Sequence, residues 1–332
     1  MRSALAPILV CFAAAFAGQA APIDGAYHGT IGKLEVFARL EQGADGVVRG
    51  RYFYASVGRD IQLEGRKDGE EVALAEHVGG RATGRFSGRP GAGALAGTWS
   101  SGSRKLPFRI ALVPRAELQP ILVARKNASS VVSLSDGATS GGKRCKSDVF
   151  YPELFGLPDP QVEEALNLKL RPDAAPCDAA GEHTVQYKVH LNRSGILSLS
   201  LAAAGYSEGA AHPYAELRSF NVATLTGRTI EWKDVFKPGS EREVNAKLDP
   251  LIKAAIARTP DLEPAAERIL REALPIPGAD FFLEDKGVRF NAWGNLPHAF
   301  QALAAEQEFF LSYDELRSAL VTSGDAARVW AR

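Results

Sequence analysis

Three cysteines, one methionine and six histidines in 332 residues leave little material for soft-metal or redox chemistry. There is no Cys-x-x-Cys and no cluster of His, so a zinc site lacks its ligands; no metal and no cofactor are expected. An excess of either charge is missing too, because 39 Lys plus Arg stand against 39 Asp plus Glu. A balanced chain has no overall field drawing it to nucleic acid or an anionic membrane, and nucleic acid is excluded as a partner. Beyond residue 20 no stretch is long and apolar enough to cross a bilayer, so no membrane span is expected.

What is present is globular composition, 45% hydrophobic and 23% charged, in a length that suits two domains. Arg2, an apolar run over 5–16 and the small-x-small site Gly18-Gln19-Ala20 read as a secretory signal at residues 1–20. The expected location is therefore periplasmic or extracellular. In that oxidising setting Cys145 and Cys177 are an even pair and a disulfide is the default, worth about 3 to 4 kcal/mol on the chain-entropy model.

Residues 26–113 alternate with period two and turn at glycine every ten or so residues, as at Gly43-Ala44-Asp45-Gly46 and Asp68-Gly69. The pattern predicts an all-β N-terminal domain, an antiparallel meander of about eight strands closed into a barrel. Gly50, Gly65, Gly84 and Gly97 fall inside strands, where a sharp bend would require them. Tyr52, Tyr54 and Trp99 fill the interior or line a mouth, and the second use would make the barrel a small-ligand carrier.

Pro114, Pro120 and the Ser/Gly-rich stretch 133–146 mark residues 114–146 as a linker, with strands beginning at 121–124 and 131–134. A phosphate-loop look-alike at 137–144 fails at Arg144, where Ser or Thr is needed. Residues 147–322 then read as an α+β C-terminal domain with an antiparallel sheet, and 323–332 as a tail. Asp159-Pro160 starts a helix to Leu170, Ser240 with Glu243 forms a capping box, a further helix covers 263–274, and Ser312 with Glu315 caps the last one. His190, alternating with Gln186 and Lys188, falls on a polar and solvated face.

The stretch 198–236 organises this half: a strand, a glycine-rich corner at 205–213, a second strand, a turn at 224–227 and a third strand into Trp232. Gly205-Tyr206-Ser207-Glu208-Gly209 matches a nucleophile elbow with Ser207 as nucleophile and His212 or His298 as base. That motif needs a helix right after the serine, and Pro213 stands in its way.

Tyr206, Gly209, His212-Pro213, Phe220-Asn221, Thr226-Gly227, Asp234-Val235-Phe236, Phe282-Leu283 with Gly287-Val288, and 313–316 together carry a resemblance. Over about 150–320 the chain resembles the extracytoplasmic domain of RsiV-type anti-sigma factors that sense lysozyme. A similar domain of unknown function accompanies some peptidoglycan deacetylases. The resemblance implies an envelope binding domain. Signalling and deacetylation are not implied, since the membrane helix, the sigma-binding segment and the deacetylase domain are missing.

Two clusters, Tyr206, Glu208, His212 and Tyr214 and then Trp293, Asn295 and His298, offer aromatic rings with polar neighbours, suited to glycan stacking or a protein partner. Trp232 presents a ring between them or joins the core. The expected function is an exported binding protein for cell-wall glycan or a lysozyme-like protein. The alternatives are a hydrolase, serine-type at Ser207 or built on Glu208 and His212, and the small-ligand carrier.

Overall fold

The computed structural model describes residues 23–134, 143–172, 180–211, 213–258, 264, 268, 281–291 and 308–331. The expected meander is a closed eight-stranded barrel: β1 (Gly25–Ile31), β2 (Leu34–Gln42), β3 (Val47–Tyr54), β4 (Ile61–Asp68), β5 (Glu71–Val78), β6 (Arg81–Gly91), β7 (Ala94–Ser101) and β8 (Arg104–Leu112). Each strand pairs antiparallel with the next, and β8 returns to β1. Closure abolishes the edges that an open sheet would expose.

Closure also explains the in-strand glycines. A Cβ on Gly65 would lie 1.9 Å from the Ala73 carbonyl oxygen, and one on Gly97 2.1 Å from that of Ser87. Strands this tightly coiled admit no side chain at those points.

Alternate residues point inward and pack, with Leu40, Tyr52, Leu74, Phe86, Trp99 and Phe108 in one cluster. A void of about 20 Å³ lies among them, walled by Ile31, Leu40, Tyr52, Phe86 and Phe108 among others. That is room for about one water and too little for a ligand, so the aromatics fill the barrel and a carrier has no chamber. Within the barrel lies the buried carboxylate of Glu76, accepting from Tyr52 Oη (2.6 Å), Trp99 Nε1 (2.8 Å) and Thr83 Oγ1 (2.5 Å).

The chain continues through β9 (Leu122–Asn127), β10 (Ser130–Leu134), β11 (Lys143–Phe155), α1 (Pro160–Leu170), β12 (Gly181–Arg193), β13 (Ile196–Ser207) and β14 (Tyr214–Ala223). The sheet order is β10-β11-β12-β13-β14, with β9 also on β11. An antiparallel sheet was expected here, but β11 and β12 run parallel, so the sheet is mixed. The helix α1 lies between them in sequence and carries the chain back, which sends β12 in the direction of β11. As read, Asp159 caps α1, accepting from Gln161 N at 2.7 Å.

The barrel meets this sheet across the outer side of β2 and β3. Phe37 and Phe53 stack at 5.5 Å and pack with Phe155, Val113 and Ala124. Beside them Arg39 and Arg51 reach Glu153 at 2.9 and 2.6 Å, and Arg39 also reaches Glu163 at 2.7 Å. Lys126, beneath the same carboxylate at 3.7 Å, bonds Asp60 and covers the Phe53 ring. Burial alone would raise the Glu153 carboxyl, but Arg51 and Arg39 overcome it and hold it below the usual range. Burial pushes the Lys126 ammonium down.

The remaining described elements are α2 (Trp232–Val235), α3 (Glu241–Ala257), β15 (Phe281–Leu283), β16 (Gly287–Asn291), β17 (Glu308–Ser312), α4 (Tyr313–Leu316) and a 3-10 turn at Ala326–Val329. The strands form a small antiparallel sheet whose core includes Val244, Leu248, Phe290 and Leu311. Three expectations are corrected here. Trp232 opens a short helix instead of ending a strand, its ring against Phe236 at 4.1 Å, because the chain leaves the sheet after the Val222–Thr229 bridge. Ser240 makes no side-chain cap; its hydroxyl donates to the Lys237 carbonyl at 2.7 Å. His190 is not solvated, as described below. The Ser312–Glu315 capping box is present. The 263–274 helix and residues 1–20 lie outside the described residues, apart from the isolated positions 264 and 268.

Candidate functional site

The β13–β14 hairpin lies at one edge of the mixed sheet, with β12 alongside β13 out to Gly181–Ser207. Its strands pair from Ile196–Ala223 to Gly205–Tyr214, so the expected corner is a hairpin tip starting after Ser207. Ala210 N closes a turn on Ser207 O at 3.0 Å, and Glu208 N donates to Ala180 O at 2.6 Å.

Tight packing stiffens the tip. A Cβ on Gly205 would meet His183 Nδ1 at 2.6 Å and the Glu182 oxygen at 2.7 Å, so only glycine lets the imidazole lie across the strand. His183 Nδ1 then reaches the Tyr214 hydroxyl at 3.2 Å. The Tyr214 hydroxyl is pushed up by burial and by Glu216.

Alternation divides the residues that the sequence grouped. Tyr206 and Tyr214 have opposite parity in the register, so they lie on opposite faces of the hairpin. Tyr206 is 44% exposed, next to Ala202 and Ala204 on its face. Glu208 extends the tip and binds Lys143 at 3.0 Å. Tyr214 is half-buried on His183. The other site residues expected from sequence, His212, Trp293, Asn295 and His298, together with Cys177, lie outside the described residues. Cys145 is fully buried on β11.

Ser147 Oγ and His183 Nε2, at paired positions on β11 and β12, are buried without a hydrogen-bond partner among the described residues. Orphaned groups of this kind cost stability where they stand.

Ser207 ends a strand and is followed by a turn, not a helix, and no hydrogen bond joins its hydroxyl to a histidine among the described residues. A different serine meets a histidine. Ser200 Oγ lies 3.0 Å from His190 Nε2, and His190 Nδ1 lies 3.4 Å from Glu284 Oε1. With Nδ1–H facing the carboxylate, Ser200 donates to Nε2.

Sequence alternation did place His190 with Gln186 and Lys188. What it missed is that β15 and β16 cover that end of the face, and a bulge between Val189 and Leu191 turns the ring beneath them. The imidazole stacks on Phe282 at 4.4 Å and 6°, leaving its side chain 2% exposed. Burial, then Lys188, pushes its pKa down, against the opposing pull of Glu284. Arg289 grips Glu284 at 2.6 and 3.2 Å and, overcoming burial, keeps that carboxyl low. Ser200 is itself buried, so the three groups form an internal latch between the mixed sheet and the small sheet.

Among the described residues no group of three or more His, Cys, Asp or Glu is arranged to hold a metal, and no helix is long and apolar enough to cross a membrane. No protein-family model matches the chain, and no curated protein matches it. Among solved structures it is similar to a DUF3298-family protein from Bacteroides fragilis NCTC 9343, over 65% of this chain and 100% of that one, at 12% identity and a TM-score of 0.49. It is also similar to a DUF3298-family protein from Pseudomonas aeruginosa PAO1, over 60% and 95%, at 18% identity and a TM-score of 0.38. Those proteins carry a domain of unknown function, and likeness at this level says nothing of a ligand.

Proposed function

We propose that this chain is an exported cell-envelope binding protein that takes cell-wall glycan or a lysozyme-like protein at the tip of the β13–β14 hairpin. The observation that carries the reading is an exposed ring, Tyr206, beside the Glu208–Lys143 pair on a hairpin braced by Gly205, His183 and Tyr214. An aromatic face with a polar rim on a rigid support suits grip by stacking and hydrogen bonding.

Export is supported by the charged and apolar pattern of residues 1–20. A Cys145–Cys177 disulfide fits that setting and is supported by Cys145, whose sulfur is buried and not a free thiol. The RsiV-type resemblance supports the partner class, and its positions include Tyr206 and Gly209 at the tip and Phe282 at the His190 latch. In this scheme the mixed sheet and the elements after it do the binding, with Lys143 of β11 at the tip, and residues 26–113 serve as a rigid support.

The test is equilibrium binding of the full chain to hen lysozyme and to purified peptidoglycan sacculi. Micromolar or tighter binding to either, weakened at least tenfold by Tyr206→Ala, is expected; no binding to both overturns the reading.

A further inference from the structure

The chain is neutral overall, yet its charge is unevenly spread. From residue 77 to residue 116 there is no Asp or Glu, while β6 and β8 carry Arg81, Arg85, Arg89, Arg104, Lys105 and Arg109. All six are exposed. Arg89 pairs with Glu71 at 3.0 Å, and the other five have no carboxylate partner among the described residues.

Register turns this run into a surface. Arg85 lies across from Ser100, which lies across from Lys105; Arg89 lies across from Ala96, which lies across from Arg109. Their parity is opposite to that of the inward Phe86 and Phe108, so they stand on the outer wall. Four residues along a strand is about 13 Å and two strands across is about 10 Å, which sets four cations at the corners of a rectangle. Between the corners lie only uncharged, compact side chains, Ser87, Ala96, Thr98, Ser100 and Pro107. Arg81 and Arg104 stand at the rim where β5 turns into β6 and β7 into β8, off the wall itself: Arg104 shares the parity of the inward Phe108, and a register shift pairs Arg81 with Val78, which shares that of the inward Leu74. At that end Val78, paired with Arg81, is an apolar side chain 52% exposed.

This wall also faces away from the rest of the molecule. The mixed sheet docks on β2 and β3, and in a closed ring of eight, β6 and β7 are on the far side.

We infer that the β6–β8 wall is a docking surface for an anionic lipid bilayer, held by phosphodiester headgroups. A two-dimensional array of cations matches a plane of negative charge, whereas a linear polyanion is tracked by a groove. No aromatic ring is exposed on β6, β7 or β8, so single-stranded nucleic acid has nothing to stack on. At the rim, at the edge of this surface, exposed Val78 beside Arg81 adds an apolar contact, of use against a membrane and of none against a soluble polyanion. The surface lies apart from the hairpin tip and does not depend on the ligand taken there.

The test is vesicle co-sedimentation of the full chain with mixed phosphatidylglycerol/phosphatidylcholine vesicles and with pure phosphatidylcholine, with soluble polyphosphate as the competing arm. Binding to the anionic vesicles alone is expected, lost in about 0.5 M salt, where screening acts within a few ångströms. Arg85→Glu with Lys105→Glu and Arg109→Glu should weaken it by at least about a hundredfold, at roughly one kilocalorie per basic group lost and more for the charge reversed. Salt dependence of the native chain reads the same claim without relying on the variant's folding. No binding to anionic vesicles, binding that ignores salt or the reversals, or capture of polyphosphate without capture of vesicles would each overturn the inference.

Discussion

Arg51 and Glu153, 102 residues apart in the chain, meet at 2.6 Å between Nη2 and Oε1. The bond joins the barrel wall to β11 in a place largely shielded from water, and it is shared with Arg39 and Lys126.

Glu153→Gln would leave those three cations facing a neutral group. Removing one partner of a buried pair costs about 3 kcal/mol, whereas an exposed pair such as Arg49–Glu64 contributes about 0.5 kcal/mol or less. Urea unfolding should therefore separate the Glu153→Gln variant clearly from an Arg49→Gln control. Equal midpoints for the two would contradict the weld.

The latch at His190 carries a pH dependence whose sign follows from its lowered pKa. The folded chain keeps the imidazole neutral, so below the ordinary value of about 6.5 the unfolded chain takes up the proton first. Stability is then full above about pH 6.5 and is lost as pH falls towards the depressed value. Among the described residues, Lys188, Glu284 and Glu308 act on the ring, with Arg289 bound to Glu284. The Glu153 and Glu284 carboxyls, both held low, contribute losses only below the ordinary carboxylate range, so between pH 7.5 and 5.5 they drop out, and comparison with a His190 variant cancels the other five histidines. The melting temperature of the wild type should fall across that interval more than that of His190→Gln; parallel slopes would contradict the assignment.

The Ser200–His190–Glu284 order resembles a nucleophile, base and acid, and its burial argues that it is structural. A fluorophosphonate probe should leave the full chain unlabelled. Labelling that disappears in Ser200→Ala would replace the latch with an acyl-transfer site.

At the hairpin, Gly205→Ala forces a Cβ to 2.6 Å from His183 Nδ1. Overpacking of this kind costs about 1 to 3 kcal/mol. The variant should lose stability and lysozyme or glycan binding together, and retention of full binding would detach the tip from its support.

Much of this was legible in the sequence. Period-two alternation and the glycines at 50, 65 and 97 announced a closed barrel, because only tight coiling tolerates glycine at such positions. Asp159-Pro160 and Ser312 announced their helices through side chains that act locally. Contacts distant in sequence were not legible: the alternation put His190 on the correct face, but nothing nearby says that residues 281–291 cover it. The parallel β11–β12 pair was hidden likewise, since local pattern does not report strand direction. Balanced totals of 39 and 39 concealed the acid-free wall at β6–β8, which only strand order assembles.

Grip at the hairpin tip is tested most directly by calorimetric titration of the full chain with hen lysozyme and with soluble glycan fragments. A saturable heat that Tyr206→Ala weakens at least tenfold, with unchanged melting temperature, is the predicted result. Titrations without heat for either partner, or heats identical in wild type and Tyr206→Ala, would contradict it.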